Sequence, residues 1–599
     1  MISTAGWITT GILIGTLAAF AWGRLRPEVI ALAAVLAVGL SGVATPAQAF
    51  AGFGDPTVVT IAALFVLSAG LERTGVAHRL ARSLLQTVGA GEDRLIIIFM
   101  ILAAALSAFM NLIGAMAILL PIALAACRQT GLSPSRLLMP LAISSRLGGA
   151  LTLIGKPSNL IVSGFLTSAG HAPLSFFAFL PVGIAFLAVG ITFMATYGRR
   201  LLPTRVPEGF SSSGAARRDL QETYQLPERL FRIRVDVGSA LAGKALAETS
   251  LSQSFGVNVV GIVREGQRVH VPQPNERLRA GDTLLVEARP ADIERIREFA
   301  SIEAAQDTGA AEVALETEEI GLAEVILAPR SEIAGKSLKE LEFRKRFELN
   351  VVAFWRDGRP HRTWLADLPL EYGDALLIQG PRDRIRLLAQ NPNFISLDEP
   401  PVLRTSRAPL ALLAAGALIL MGATGLVPIS LAAFLAAGIV VVGGCIQSEE
   451  AFRIVDWPTV VVTGGLLPLG IALHTTGAAA TIAGAVVSLA GHNPIFALAG
   501  VLLAAFAIGQ AVPSVPATIL MAPVALGAAQ TLGVTPVPFM ITVASVTSIT
   551  LLTPISHPVS LMVMGPGGYR TRDYARVGAP LAVLLAVTLL VVVTVVWRF

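Results

Sequence analysis

The chain has 599 residues, 54% of them hydrophobic and only 14% charged, with a mean hydropathy of +0.70. That balance places it among integral membrane proteins rather than soluble ones. The net charge of +5 carries no nucleic-acid signal, because a polytopic protein concentrates Lys and Arg in its cytoplasmic loops.

Apolar runs long enough to cross a bilayer fall near 5–23, 27–43 and 56–72. Residues 76–89 read as an amphipathic interfacial arm. Residues 93–127 form two apolar arms around Ser107 to Gly114, the pattern of a re-entrant hairpin. A crossing near 137–163 is interrupted around Gly148 to Pro157, and another follows near 174–197. The same order returns as 408–425, 429–445, 458–474, a short arm, a hairpin at 493–527, a broken helix at 537–563 and a last helix at 577–597. Ala47-Gln48-Ala49 resembles a signal-peptidase site, but the helix pair before it recurs in the second half and is read as retained. Cys127 and Cys445 lie far apart in or beside apolar runs and read as packed hydrophobes.

Motifs repeat along with the hydropathy. Asp55-Pro56-Thr57-Val58-Val59, ending in Gly75, returns as Asp456-Trp457-Pro458-Thr459-Val460-Val461, ending in Gly477, at an offset of 402 from Pro56 onward. Ile154-Gly155-Lys156-Pro157-Ser158-Asn159-Leu160 is echoed by Ile555-Ser556-His557-Pro558-Val559-Ser560-Leu561 at 401. Paired membrane halves with Gly/Pro interruptions at matching places point to a secondary transporter. With hairpins adding no net crossing, each half crosses five times, and an odd number inverts the second half. Arg24, Arg26, Arg73, Arg79, Arg82, Arg128, Arg136, Arg199, Arg200, Arg570, Arg572 and Arg576 then share one side, and only Arg598 breaks the pattern. The positive-inside rule makes that side cytoplasmic and puts both termini outside.

Residues 206–400 lose the long apolar runs. After a Ser/Gly/Arg/Glu-rich linker at 206–225, two units match at a constant offset of 92: Ala242-Gly243-Lys244 with Ala334-Gly335-Lys336, Asn258-Val259-Val260 with Asn350-Val351-Val352, and Gly281-Asp282 with Gly373-Asp374. Short β-rich runs between Gly/Asp turns predict small α+β units. Each resembles a TrkA-C domain, the ligand-sensing half of regulatory modules on potassium channels and transporters. The expected domains are 1–205, 226–305, 318–398 and 402–599. The residues point to no resident cofactor or metal; a small cytosolic regulator of nucleotide type is the candidate ligand of the TrkA-C-like units.

The first broken segment, Ser144 to Leu160, is the richest stretch. Gly and Pro at membrane depth expose backbone groups, tolerated only beside protein or a water-filled cavity, and half-helix N-termini there suit an anion. With Pro121 and Met564-Gly565-Pro566-Gly567-Gly568-Tyr569, both membrane halves resemble the divalent anion:sodium symporter family of the ion transporter superfamily, specifically the subgroup carrying paired TrkA-C domains. The resemblance implies two inverted repeats in a polytopic helical membrane protein of the plasma (inner) membrane. It also implies a homodimeric elevator mechanism and a small divalent anion as cargo, sulfate first and dicarboxylates second.

Departures from the family matter. Its hairpin tips carry Ser-Asn-Thr or Asn-Asn-Thr motifs that help hold sodium, whereas the tips here read Asn111-Leu112-Ile113 and Pro513-Ser514-Val515. Leu and Ile supply no side-chain oxygen for a hard cation. Lys156 and His557 occupy equivalent places in the two broken helices, so they are expected to replace the coupling ions, Lys156 as a fixed charge and His557 as a titratable one near about 6.5. Candidate substrate contacts are Ser158, Asn159, Ser560, Lys156, His557, Asn111, Ser514 and Arg146, with Thr152, Ser548, Thr550 and Thr553 behind them. Lys156 snorkelling to an interface, His557 capping a helix, and packing roles for the others are the alternatives. A sodium-coupled dicarboxylate symporter and a cation/proton antiporter are the rival carriers, and the latter requires an intramembrane acid absent from the broken-helix centres. A channel lacks a filter repeat, the soluble part has no catalytic constellation for an enzyme, and a non-transporting sensor is the last alternative.

Overall fold

The computed structural model describes residues 3–80, 91–204 and 404–597 and, of the stretch between, 230–236, 238–249, 251, 257–264, 275–287, 293, 296, 303–306, 320–328, 331–356, 359–361, 365–371, 374–389, 391 and 393–396. The linker at 206–225 and most of the interfacial arm at 76–89 lie outside these residues. The first half contains α1 (Thr4–Trp22), α2 (Pro27–Leu40), a short α3 (Pro46–Ala51), α4 (Pro56–Arg73), α5 (Glu92–Ser107), α6 (Leu112–Thr130), α7 (Pro134–Gly148), α8 (Pro157–Ser168) and α9 (Leu180–Phe193). The second contains α10 (Ala408–Thr424), α11 (Ile429–Val442), a short α12 (Ser448–Ile454), α13 (Trp457–Thr475), α14 (Ala478–Leu489), α15 (Pro494–Ala511), α16 (Ser514–Leu532), α17 (Val537–Ile549), α18 (Pro558–Met564) and α19 (Thr571–Val596). Among the described residues nine helical segments are long and apolar enough to cross a bilayer. The chain is a multi-pass membrane protein.

The repeated motifs are helix punctuation. Asp55 caps α4, its Oδ1 accepting the Thr57 amide at 2.7 Å, and Pro56 takes the first turn, where no N–H is needed. Asp456 holds the N-cap position of α13, but its carboxylate accepts from the Thr459 hydroxyl rather than capping a backbone amide. Both helices are followed by a glycine with positive φ, +72° at Gly75 and +77° at Gly477, a conformation that a β-carbon would strain. The two halves are interlocked reciprocally: α2 of the first packs on α13 of the second, and α11 of the second on α4 of the first. Likewise α8 rests on α16 and α17, while α18 rests on α6 and α7.

The hairpin arms are longer than their sequence interruptions imply, 16 and 19 residues for α5 and α6 and 18 and 19 for α15 and α16. A helix of that length reaches about 25–30 Å at 1.5 Å per residue. A hairpin adds either no crossing or two, so the inversion argument is insensitive to its depth.

One irregularity joins the two halves. In α7 the Tyr569 hydroxyl stands between the Ser135 carbonyl, to which it donates at 2.7 Å, and the Met139 amide, from which it accepts at 2.8 Å. It takes the place of a ladder bond of the helix.

Between the halves lie two antiparallel sheets. The first has β1 (Leu230–Arg234), β2 (Asn258–Val263), β3 (Thr283–Glu287) and β4 (Glu303–Gln306) in the order β2-β3-β1-β4. The second has β5 (Ile320–Leu327), β6 (Asn350–Arg356), β7 (Arg359–His361), β8 (Ala375–Pro381) and β9 (Phe394–Ser396) in the order β7-β6-β8-β5-β9. The duplication extends to register: Phe231 faces Val286 as Ala323 faces Ile378, and a bulge follows both Val259 and Val351. Arg264 clamps Asp282 through two bonds of 2.8 and 2.9 Å, and Arg356 clamps Asp374 through two of 2.8 and 2.6 Å. Burial pushes the Asp282 carboxyl up, but Arg264, the Arg279 amide and the two nearby guanidinium charges outweigh it and hold the group below its ordinary range.

Candidate functional site

Each broken helix stops where glycine or threonine leaves the ladder and restarts at a proline. The residue before that proline is forced into extended backbone: Lys156 at φ −154° and His557 at φ −156°. Extension throws the Lys156 side chain off its own helix and across to the other repeat. Its Nζ donates to the Ala544 carbonyl at 2.8 Å, Thr547 Oγ1 at 3.0 Å and Ser548 Oγ at 2.7 Å, all on the last turns of α17. The ammonium is thus held in a cage of three oxygens.

Arg146, in the last turn of α7, reaches the same place. Its Nη2 donates to the carbonyls of Thr550 (2.7 Å) and Thr547 (3.1 Å) and to Thr550 Oγ1 (2.8 Å), and its Nη1 to Ser556 Oγ (3.3 Å). The carbonyls are ones that the break after Ile549 frees. Ser548 Oγ closes the circuit by donating to the Arg146 carbonyl at 3.0 Å. Arg146 is 1% exposed and Lys156 8%, and neither has an ion-pair carboxylate among the described residues. Arg146 Nε is a buried donor with no partner. Two cations desolvated side by side without an acid are costly and call for a counter-charge.

Beside them is a cavity between the second hairpin and α17, with Ser514, Thr518, Thr547 and Thr550 among its lining residues. Thr518 Oγ1 lies 3.0 Å from Ser158 Oγ, so α8 contributes a hydroxyl to the same corner. Lys156, Arg146, Ser158 and Ser514 therefore converge.

The other anticipated residues stand elsewhere. Asn159 is fully buried in the first break, donating to the carbonyls of Gly149 (3.1 Å) and Thr152 (2.8 Å), and its Oδ1 has no partner. Asn111 caps α6, accepting from the Ile113 amide at 3.1 Å, while its own amide donates to Ser68 Oγ. His557 caps α18, its Nδ1 accepting from the Val559 amide at 3.3 Å, and Ser560 is buried with its carbonyl accepting from Tyr574. Thr547 and Thr518 were not anticipated, yet Thr547 carried a signal: it sits at the Arg146 position of the second repeat, 401 residues on.

The profile of the CitMHS citrate transporter family matches residues 17–544. The chain belongs to the CitMHS family. It is a transporter, not an enzyme, within the ion transporter superfamily that the motifs resembled. The uncharacterized transporter YfbS of Escherichia coli (strain K12) is 33% identical, with 99% of each chain covered. The uncharacterized transporter sll0640 of Synechocystis is 32% identical over 96% of this chain and 95% of its own. Sodium/sulfate cotransporter 2 of Chlamydomonas reinhardtii is 27% identical over 56% of this chain and 38% of its own.

Proposed function

We propose that this CitMHS protein is a secondary active carrier of a small divalent anion, sulfate first. The observation that carries the reading is the pair Arg146 and Lys156, buried beside a cavity that Ser514, Thr518, Thr547 and Thr550 help to line, with no ion-pair carboxylate among the described residues. The likeness to a sodium/sulfate cotransporter supports the same cargo. The Lys156 ammonium, in its oxygen cage, stands in for one coupling cation, and His557 supplies a titratable charge at the equivalent break. Transport is driven by protons or runs without sodium.

In this reading the protein works as a homodimer in the plasma (inner) membrane, with the insert cytoplasmic and both termini outside. The hairpins and broken helices move as an elevator, and the two sheet-bearing units act as TrkA-C-type regulators. A sodium-coupled dicarboxylate symporter is the second reading. It is favoured by one feature: the unpartnered Asn159 Oδ1 near the Gly149 and Thr152 carbonyls, an oxygen of the kind sodium takes.

The test is uptake of radiolabelled sulfate into proteoliposomes under an inward proton gradient and, separately, an inward sodium gradient. Proton-driven uptake indifferent to sodium and lost in Lys156→Ala supports the proposal. Sodium-driven uptake transfers the case to the second reading, and absence of sulfate flux under both gradients overturns sulfate as the cargo.

A further inference from the structure

α9 and α19 pack along each other, and the short turn Arg199–Leu201 that follows α9 reaches α19 as well. Ser135 fixes which ends meet. Its Oγ donates to the Pro203 carbonyl at 2.5 Å, and its own carbonyl accepts from the Tyr569 hydroxyl at 2.7 Å. Pro203 stands three residues beyond Arg200, and Tyr569 three before Arg572. The basic end of α9 and the basic start of α19 therefore share one end of the helix pair.

On α19 the residues Arg572, Arg576, Ala579, Val583 and Val587 are all exposed. Steps of three or four residues put them on one face of the helix. On the neighbouring helix Ile184, Ala188 and Thr192 are exposed, and Tyr197 and Arg200 are exposed at its basic end. In a multi-pass membrane protein such a face meets lipid, and an exposed tyrosine is the residue type of the boundary between acyl chains and headgroups. The three guanidinium groups stand at that boundary.

The acids nearby are engaged elsewhere. Asp93 pairs with Arg199 at 2.7 Å and Glu92 with Arg136 at 2.9 Å, and the buried Asp573 accepts the Arg570 amide at 2.8 Å. Arg200, Arg572 and Arg576 have no ion-pair carboxylate among the described residues. Arg572 and Arg576 are four residues apart, with β-carbons about 5–6 Å from each other, and a like-charge pair at that spacing destabilises its helix. A phosphodiester between them turns the repulsion into charge-assisted bonds.

We propose that the shared end of α9 and α19 binds one anionic phospholipid per chain, its phosphate held by Arg572, Arg576 and Arg200 and its acyl chains laid along Ala579, Val583 and Val587. A zwitterionic headgroup brings its own cation to the same phosphate and no net charge, so the site selects by charge. The inference depends neither on the cargo nor on the coupling ion.

The full chain in detergent is titrated with phosphatidylglycerol and, separately, with phosphatidylcholine of the same acyl chains, followed by native mass spectrometry and by the unfolding midpoint. One phosphatidylglycerol per chain should be retained and should raise the midpoint, and phosphatidylcholine should do neither. Arg572→Gln combined with Arg576→Gln should weaken retention at least about tenfold. Both side chains are exposed, so the lipid-free midpoint should not fall. Arg24→Gln combined with Arg26→Gln removes the same charge from another exposed turn, where Arg24 already lies over the Trp22 ring, and should leave retention intact. Glycerol 1-phosphate separates a lipid headgroup from a free phosphate and should give no protection. Equal retention of the two lipids, equal losses in the two double variants, undiminished retention in Arg572→Gln/Arg576→Gln, or protection by glycerol 1-phosphate equal to that by phosphatidylglycerol overturns the proposal.

Discussion

Arg146 donates to the backbone carbonyl of Thr547, the residue that holds its own position in the second repeat. Two repeat-equivalent residues in contact mark where the pseudo-two-fold relation of the halves passes through the protein. At that point the sequence is deliberately unequal: a guanidinium faces a threonine rather than a second guanidinium. The same inequality recurs at Lys156, which crosses to α17, and at His557, which caps its own helix. A duplicated fold has thus become one-sided, with both basic side chains, Arg146 and Lys156, donating to α17.

Arg146→Leu should therefore do more than remove a contact. It leaves the Thr550 hydroxyl without the Arg146 donor and the Thr550 carbonyl with the bond from Ser556 Oγ, and it removes one of the two basic groups beside the cavity. A bond from a charged donor is worth about 1.5–3 kcal/mol, so initial anion uptake should fall at least about tenfold. Thr547→Val removes a lysine ligand but leaves the carbonyl that Arg146 uses, and a smaller loss is expected. Initial rates in proteoliposomes check the order; equal losses would remove Arg146 from the site.

Lys156→Ala vacates a cage made of the Ala544 carbonyl and the Thr547 and Ser548 hydroxyls. Oxygen ligands of that kind suit sodium, with water completing its shell, once the ammonium is gone. The residual uptake of the variant should become sodium-stimulated, while the parent stays indifferent. Sodium titration of both proteins at constant ionic strength decides it, and a variant unmoved by sodium would show that the cage needs the tether.

Much of this was legible in the chain. Asp55 and Gly75 act locally as caps, as does Gly477 at 402 residues from Gly75, and cap chemistry is written in adjacent residues. The insert duplication was legible too, and the structure repeats it: Gly243 and Gly335 each donate to a leucine carbonyl, of Leu278 and Leu370, at the same offset of 92. The reach of Lys156 was not, because its acceptors lie 388 to 392 residues away and depend on how α8 packs against α17. Ser68 beneath the first hairpin tip is hidden likewise: nothing in a helical serine's neighbours distinguishes a back-bond from a contact with another element.

The clamp of Arg264 on Asp282 gives the insert a pH dependence. The folded carboxyl lies below its unfolded value, so its contribution is fully present above about pH 4 and is lost as pH falls through the folded value. Unfolding of the first unit, followed by hydrogen exchange of β3 in the full chain, should accelerate below about pH 4. Asp282→Asn should bring that acceleration to neutral pH and remove its acid dependence. Unchanged exchange at β3 on acidification would place the clamp outside the unit's stability.

Tyr569 offers a test of how α7 is held. Its hydroxyl satisfies the Ser135 carbonyl and the Met139 amide together, and the ring is 1% exposed between buried neighbours. Tyr569→Phe removes the oxygen and keeps the ring. If α7 could close, the amide would recover the carbonyl and little stability would be lost. The residues from Leu137 through Ala150 are buried on every side, so closure requires moving packed groups. Two polar groups are then left unpaired, at a cost of about 1–3 kcal/mol for each. The unfolding midpoint in detergent should fall, and uptake with it, because the same helix carries Arg146. An unchanged midpoint would mean that α7 closes, leaving Tyr569 a packing residue whose hydroxyl is dispensable.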